Sequence, residues 1–205
     1  NLAGGTLTAG TIEDGGGTAN FNFSGGVLTV DEFKLDLLLQ QGGILDAGGS
    51  PGRTIIEGNF EQEATGIMQV DINGDDAGDL LPPPPPGDGF GYDLYAVNGT
   101  AELLGTVRVD LQDGYWPGWG TTLDVLTTLD GFVGTDPLDA ITFEYLLGGE
   151  APDRNLFTAS IVPRTDLGSS AQALRLTSLV PEPTTLIIWS LLAGLGVGLG
   201  WRRRK

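Results

Sequence analysis

Asp71, Asn73 and Asp75 stand at alternate positions in the stretch VDINGDDAGD, with Asp76 and Asp79 close behind. Oxygen ligands at such spacing can hold Ca²⁺. The stretch lacks the glycine that a calcium loop sets after its third ligand, since Asp76 is there, and Pro82 stands where a bidentate Glu would be needed. The simpler reading is a solvated turn closing a strand. A weak calcium contact is the alternative, and no metal or other cofactor is expected. The chain has no His and no Cys, which excludes thiol nucleophiles, His-dependent triads and ordinary zinc sites. Lyase chemistry on acidic sugars wants a carboxylate cluster beside a basic residue. Arg53 and Arg108 are the candidates, and neither sits in an Asp-rich motif. Paired carboxylates for glycoside hydrolysis arise by chance among 27 acidic residues, so enzymatic activity is not expected.

Two further groups invite a chemical reading. Trp116 and Trp119 in GYWPGWG are spaced to offer sugars a stacking platform, or else to cover an open end of the fold. Asn98-Gly99-Thr100 and Asn22-Phe23-Ser24 match the N-glycosylation pattern but read more simply as a turn and a strand edge.

The elements that must carry these residues follow from composition. Gly supplies 34 of 205 residues and only 18% are charged, which suits short strands joined by tight turns and is poor for a helical bundle. Ten bases face 27 acids, a net charge of −17. Four of those bases are the last four residues, so the chain before them carries −21. A body so acidic repels nucleic acid, whose phosphates need a basic surface. Residue 1 is Asn and no charged-then-apolar leader follows, so the chain reads as a fragment or processed form of something longer.

The first seventy residues resemble one another. GGTLTAGTI begins at Gly4, GGVLTVDEF at Gly25 and GGILDAGG at Gly42. In each, a glycine pair precedes alternating apolar positions: Leu7 and Ala9, Leu28 and Val30, Leu45 and Ala47. Glycine permits a corner at positive φ, and the alternation turns one face inward. Units of about 20 residues, each too small to bury its own face, predict stacked rungs. The expected fold is therefore all-β: a Gly-rich parallel β-helix or β-solenoid with a C-terminal β cap, in which Leu7, Leu28 and Leu45 stack inside. A Gly-rich β-sandwich is the alternative. KLDLLLQQ from Lys34 reads as a strand, although a helical turn is conceivable. Further strands are expected near Ile67 to Ile72, within TAELLGTVRVDLQDG and within GTTLDVLTTLDGFVG. Five prolines at 82–86 predict a stiff projecting loop. The organisation is solenoid repeats over 1–80, a Pro-rich loop over 81–91, a C-terminal β region over 92–179 and a tail over 180–205.

The tail has its own physics. Residues 184–201 are uncharged. As a helix at 1.5 Å per residue they would span about 27 Å, slightly under a ~30 Å hydrocarbon core. The apolar residues of that single expected membrane helix are Leu186, Ile187, Ile188, Trp189, Leu191, Leu192, Leu195, Val197, Leu199 and Trp201. Arg202, Arg203, Arg204 and Lys205 follow at once and would stay cytoplasmic. Gly194, Gly196, Gly198 and Gly200 allow close helix contact or are simply the small residues of a membrane span.

Pro181-Glu182-Pro183, the apolar span and the terminal basic cluster, in that order, resemble the PEP-CTERM sorting signal of exosortase substrates. Ser50-Pro51-Gly52, IEGNFEQ from Ile56, VDINGDDAGD from Val70, YDLYAVNGTAELLGTVRVDL from Tyr92 and GTTLDVLT from Gly120 resemble the autotransporter-like β-helical repeat region that often precedes it. The resemblance implies an exported bacterial protein of the cell surface or extracellular matrix, with no enzyme activity. It would be held in the inner membrane by its tail helix and then processed near Pro181-Glu182-Pro183 by an exosortase-type partner. Extracellular polysaccharide is a further candidate partner, and the rival function is a carbohydrate-binding or carbohydrate-cleaving module on the same scaffold.

Overall fold

The structure is a computed structural model that describes residues 1–17, 20–76, 90–134, 136–152 and 155–180. The prolines at 82–86, Asp79 and the whole tail from Pro181 lie outside the described residues.

The fold is all-β, and its sheet curls into a half-barrel. Three long strands open it: β1 (Leu2–Glu13), β2 (Phe23–Lys34) and β3 (Leu37–Ala47). Shorter ones follow: β4 (Arg53–Ile56), β5 (Asn59–Gln62), β6 (Gly66–Ile72), β7 (Leu94–Val97), β8 (Ala101–Leu103), β9 (Thr106–Leu111) and β10 (Thr122–Thr128). A 3₁₀ turn at Pro137–Ala140 leads to β11 (Thr142–Leu147), β12 (Phe157–Pro163) and β13 (Gln172–Ser178). KLDLLLQQ enters β3 as a strand. Among the described residues no helix is long and apolar enough to cross a membrane.

Nearly all pairings are parallel. One ladder runs β1–β2–β3–β6–β9–β11. A second runs from the far half of β2 through β4 and β7 to β10, and a third joins β3, β5 and β8. Long strands such as β2 serve two ladders, pairing with β3 early and β4 late. Among the described strands only β13 reverses: it is antiparallel to β10 and to β12, which runs in the sense of β10.

The glycine pairs explain how the long strands bend. They lie inside β1, β2 and β3 rather than between strands, where the registers shift. The second glycine of each pair has positive φ: 75° at Gly5, 85° at Gly26 and 76° at Gly43. A side chain at Gly26 would put its Cβ 2.5 Å from the Gly5 carbonyl oxygen, and one at Gly43 2.6 Å from that of Gly26. Stacked left-handed corners therefore exclude any Cβ between neighbours.

Below the corners, Leu7 is the register partner of Leu28, Leu28 of Leu45, and Leu45 of Met68. Leu28, Leu45 and Met68 are fully buried, while Leu7, on the last strand of its ladder, is half-buried. A polar pair joins this interior: Gln40 and Gln62 are register partners, both essentially inaccessible. Gln40 Nε2 donates to the Gly43 and Ile67 carbonyls at 3.0 and 2.9 Å, so the pair stitches the turns to the strands.

Candidate functional site

Parallel stacking brings the ends of three elements to one corner. Asp46 is the penultimate residue of β3, Asp71 the penultimate residue of β6, and Asp93 directly precedes β7. One carboxylate oxygen from each lies within 4.8 Å of the other two, a group that could hold a metal ion. Asp93 is wholly buried and accepts the Gly52 and Asp71 backbone N–H groups at 2.7 and 2.8 Å. Ser50 Oγ lies 2.6 Å from Asp71 Oδ2 and 3.2 Å from Asp93 Oδ2, and its single proton can serve only one of them. Gln69 Nε2 donates to Asp71 Oδ1 at 2.6 Å, and Thr29 Oγ1 to Asp46 Oδ2 at 3.3 Å. Asp46 Oδ1 is buried without a hydrogen-bond partner.

Electrostatics follows from this crowding. Burial, then the charges of Asp71 and Asp46, push the Asp93 carboxyl well above the ordinary range, although two backbone donors pull it down. Burial and the neighbouring Asp71 raise Asp46 as well. Tyr95 lies behind the group, its hydroxyl donating its one proton to the Gln69 carbonyl at 2.5 Å with the Leu45 carbonyl 3.2 Å away, and burial raises its phenol well above 10. The cluster is thus a corner clamp that gains by taking up positive charge, as a proton or a cation. Asp93 is wholly buried and Asp71 nearly so, while Asp46 is partly exposed.

Of the calcium candidates, only Asp71 belongs to this group. Asn73 and Asp75 are exposed in the turn after β6, where the Asn73 and Gly74 amides donate to the Gly91 carbonyl. Asp75 acts instead on Tyr115, whose phenol is raised by burial and then by that charge. The reading of the sequence did not find Asp46, Ser50 or Asp93. Their one signal lay in Ser50-Pro51-Gly52 and Tyr92-Asp93, two stretches that carry the family resemblance. Of the proposed bases, Arg108 is paired with Glu144 at 2.6 Å, and Arg53 opens β4. Elsewhere Asp124 on β10 holds its register partner Arg175 at 2.6 Å and Arg164 at 2.9 Å, tying the final hairpin to the parallel strands.

A cleft of about 490 Å³ opens beside the start of β2, lined by Phe21, Lys34, Asp36 and Leu37 among others. Neither the aspartate group nor Trp116 nor Trp119 lines it. Trp119 is 66% exposed and Trp116 40%. Their loop is fastened to the last strand. Gly120 N donates to the Ser178 carbonyl at 3.0 Å, and Ser178 N to that of Thr121 at 2.8 Å. Asn98 is exposed at the turn between β7 and β8, and Asn22 directly precedes β2.

Pro181, Glu182, Pro183, the apolar span and Arg202 to Lys205 lie beyond Val180, outside the described residues. Comparison with known families gives them their identity. Residues 179–205 match the PEP-CTERM protein-sorting motif. The match supports an exported protein that is sorted through exosortase, anchored in the membrane before processing and at the surface afterwards. No curated protein matches the chain.

Proposed function

We propose that this chain is a structural protein of the bacterial surface or extracellular matrix, a parallel β-solenoid delivered by its tail and without enzymatic activity. The observation that carries the sorting half is the motif over residues 179–205. In this reading residues 184–201 span the membrane, the four terminal cations hold that span's end in the cytoplasm, and the acidic body stays outside. Each Arg or Lys costs roughly 2.5 to 3.5 kcal/mol at the membrane centre, so dragging four of them through is prohibitive.

The solenoid is supported by the unbroken parallel ladder from β1 to β11 and by the in-line Leu7, Leu28 and Leu45. It resembles the autotransporter-like repeats that often precede such a tail. The structural role is supported by how the polar and aromatic groups are dispersed. A carbohydrate-cleaving site would gather carboxylates and exposed aromatics in one groove. Here the aspartate group lies at a corner and the tryptophans sit on a separate loop, both apart from the cleft, whose own carboxylates are Asp14 and Asp36.

The test is made in the host. Replacing Pro181, Glu182 and Pro183 with alanines leaves insertion intact, because none lies in the apolar span, and blocks only the later processing. A full-length, membrane-bound form then accumulates, read by fractionation and intact mass. Release of the alanine variant as efficient as that of the parent would refute the reading and make the tail an anchor only.

A further inference from the structure

The stretch between Asp113 and Asp124 carries no charge, in a chain that is otherwise strongly acidic. It holds the two most exposed aromatic side chains of the body, Trp116 and Trp119. It is also the stretch beside which the body ends. Besides the two backbone bonds to Ser178, Ser178 Oγ donates to the Pro117 carbonyl at 3.4 Å, and Val180 N donates back to Ser178 Oγ at 3.1 Å. Ser178 and Val180 are both buried, so the last described residues before Pro181 are fixed against this loop.

We propose that the loop carrying Trp116 and Trp119 is a membrane-contact surface that rests in the lipid headgroup layer while the chain is anchored. The inference rests on the reading that residues 184–201 cross the membrane. Its own support is geometric. Thr184 is the fourth residue after Val180, and four extended residues reach at most about 14 Å. The interfacial layer on each side of the hydrocarbon core is roughly 5 to 8 Å thick. The body is therefore tethered close to the lipid, and the surface beside the tether is the tryptophan loop.

The chemistry fits that place. Tryptophan favours the membrane–water boundary, where an apolar ring meets lipid and its indole N–H meets water. The rest of the body, with 6 bases against 26 acids before Pro181, is repelled by anionic headgroups. An uncharged loop is the part that can approach. Contact there would hold Pro181, Glu182 and Pro183 at the membrane surface, where an exosortase-type enzyme meets them.

The four tryptophans make the test direct, because only Trp189 and Trp201 lie in the tail. The full chain carrying W189F and W201F keeps Trp116 and Trp119 as its only indoles. It is reconstituted into phosphatidylcholine vesicles whose acyl chains are brominated close to the headgroup. Flotation with the vesicles reports anchoring; quenching by bromine, a blue-shifted emission and loss of iodide access report the loop. The expected result is a floating protein that loses most of its indole emission to bromine. A floating protein whose emission stays open to iodide and untouched by bromine overturns the membrane contact and leaves the anchor standing. A protein that fails to float overturns the anchor and the contact together. Emission that responds to soluble dextran and not to lipid assigns the rings to sugar stacking and overturns the contact.

Discussion

Gly26→Ala isolates the contact on which the stacking depends. Two costs are involved. A non-glycine residue in a left-handed conformation costs roughly 1–2 kcal/mol, and Gly26 has φ of 85°. The new Cβ would also lie 2.5 Å from the Gly5 carbonyl oxygen and 2.8 Å from the Gly4 carbonyl carbon, both backbone atoms. Overpacking of this kind costs about 1–3 kcal/mol. Gly5→Ala and Gly49→Ala are the controls. Their φ values, 75° and 73°, impose the first cost, but nothing lies within 4 Å of either Cβ. Gly26→Ala should therefore destabilise by about 2–5 kcal/mol and the controls by about 1–2. For a chain of this size the difference corresponds to a melting temperature lower by roughly 2 to 12 °C. Thermal and denaturant unfolding of the full chain in detergent, followed by circular dichroism, provides the assay. If the three variants unfold together, the corners do not touch and the account of the stack is refuted.

The aspartate corner predicts a pH dependence. Asp46 and Asp93 have raised pKa values in the fold, so the folded state binds protons more tightly than the unfolded chain. Their contribution is fully present below the ordinary aspartate value near 3.9 and is lost as pH rises through the raised values. Asp46→Asn should thus raise the melting temperature at pH 7 and flatten its fall with pH. Because Asp46 is partly exposed, solvent screens the gain and keeps it small, and Asp75→Asn in the exposed turn should not reproduce it. A parent protein with no fall in stability between pH 4 and 7 would contradict this. Asp124→Ala strips Arg175 of its register partner and Arg164 of one of two carboxylates. It should cost about 1–3 kcal/mol in denaturant unfolding, and an unchanged midpoint would make that latch ornamental. Tyr95→Phe leaves the Gln69 carbonyl without its buried donor and should cost about 1–3 kcal/mol in the same assay.

What the sequence determined by itself was local or periodic. The glycine pairs at 4, 25 and 42 and the alternation after them specify bent strands with one face inward, because φ freedom and the two-residue strand period belong to each segment alone. The equivalence of Leu7, Leu28 and Leu45 follows from that repetition. The sorting tail was legible for the same reason: its order of Pro-Glu-Pro, apolar span and cations is a linear signal. Residues 142–178 carry no such repeat, and β11, β12, β13 and the antiparallel closure were not read from them. Only the tertiary structure decided which distant residues meet. Asp46, Asp71 and Asp93 converge because the ends of β3 and β6 and the start of β7 come to one corner, and nothing near any one of them announces the other two. Nor could sequence place the tryptophan loop against the end of β13. Pro117 and Ser178 are 61 residues apart, and their meeting depends on β13 returning antiparallel along β10.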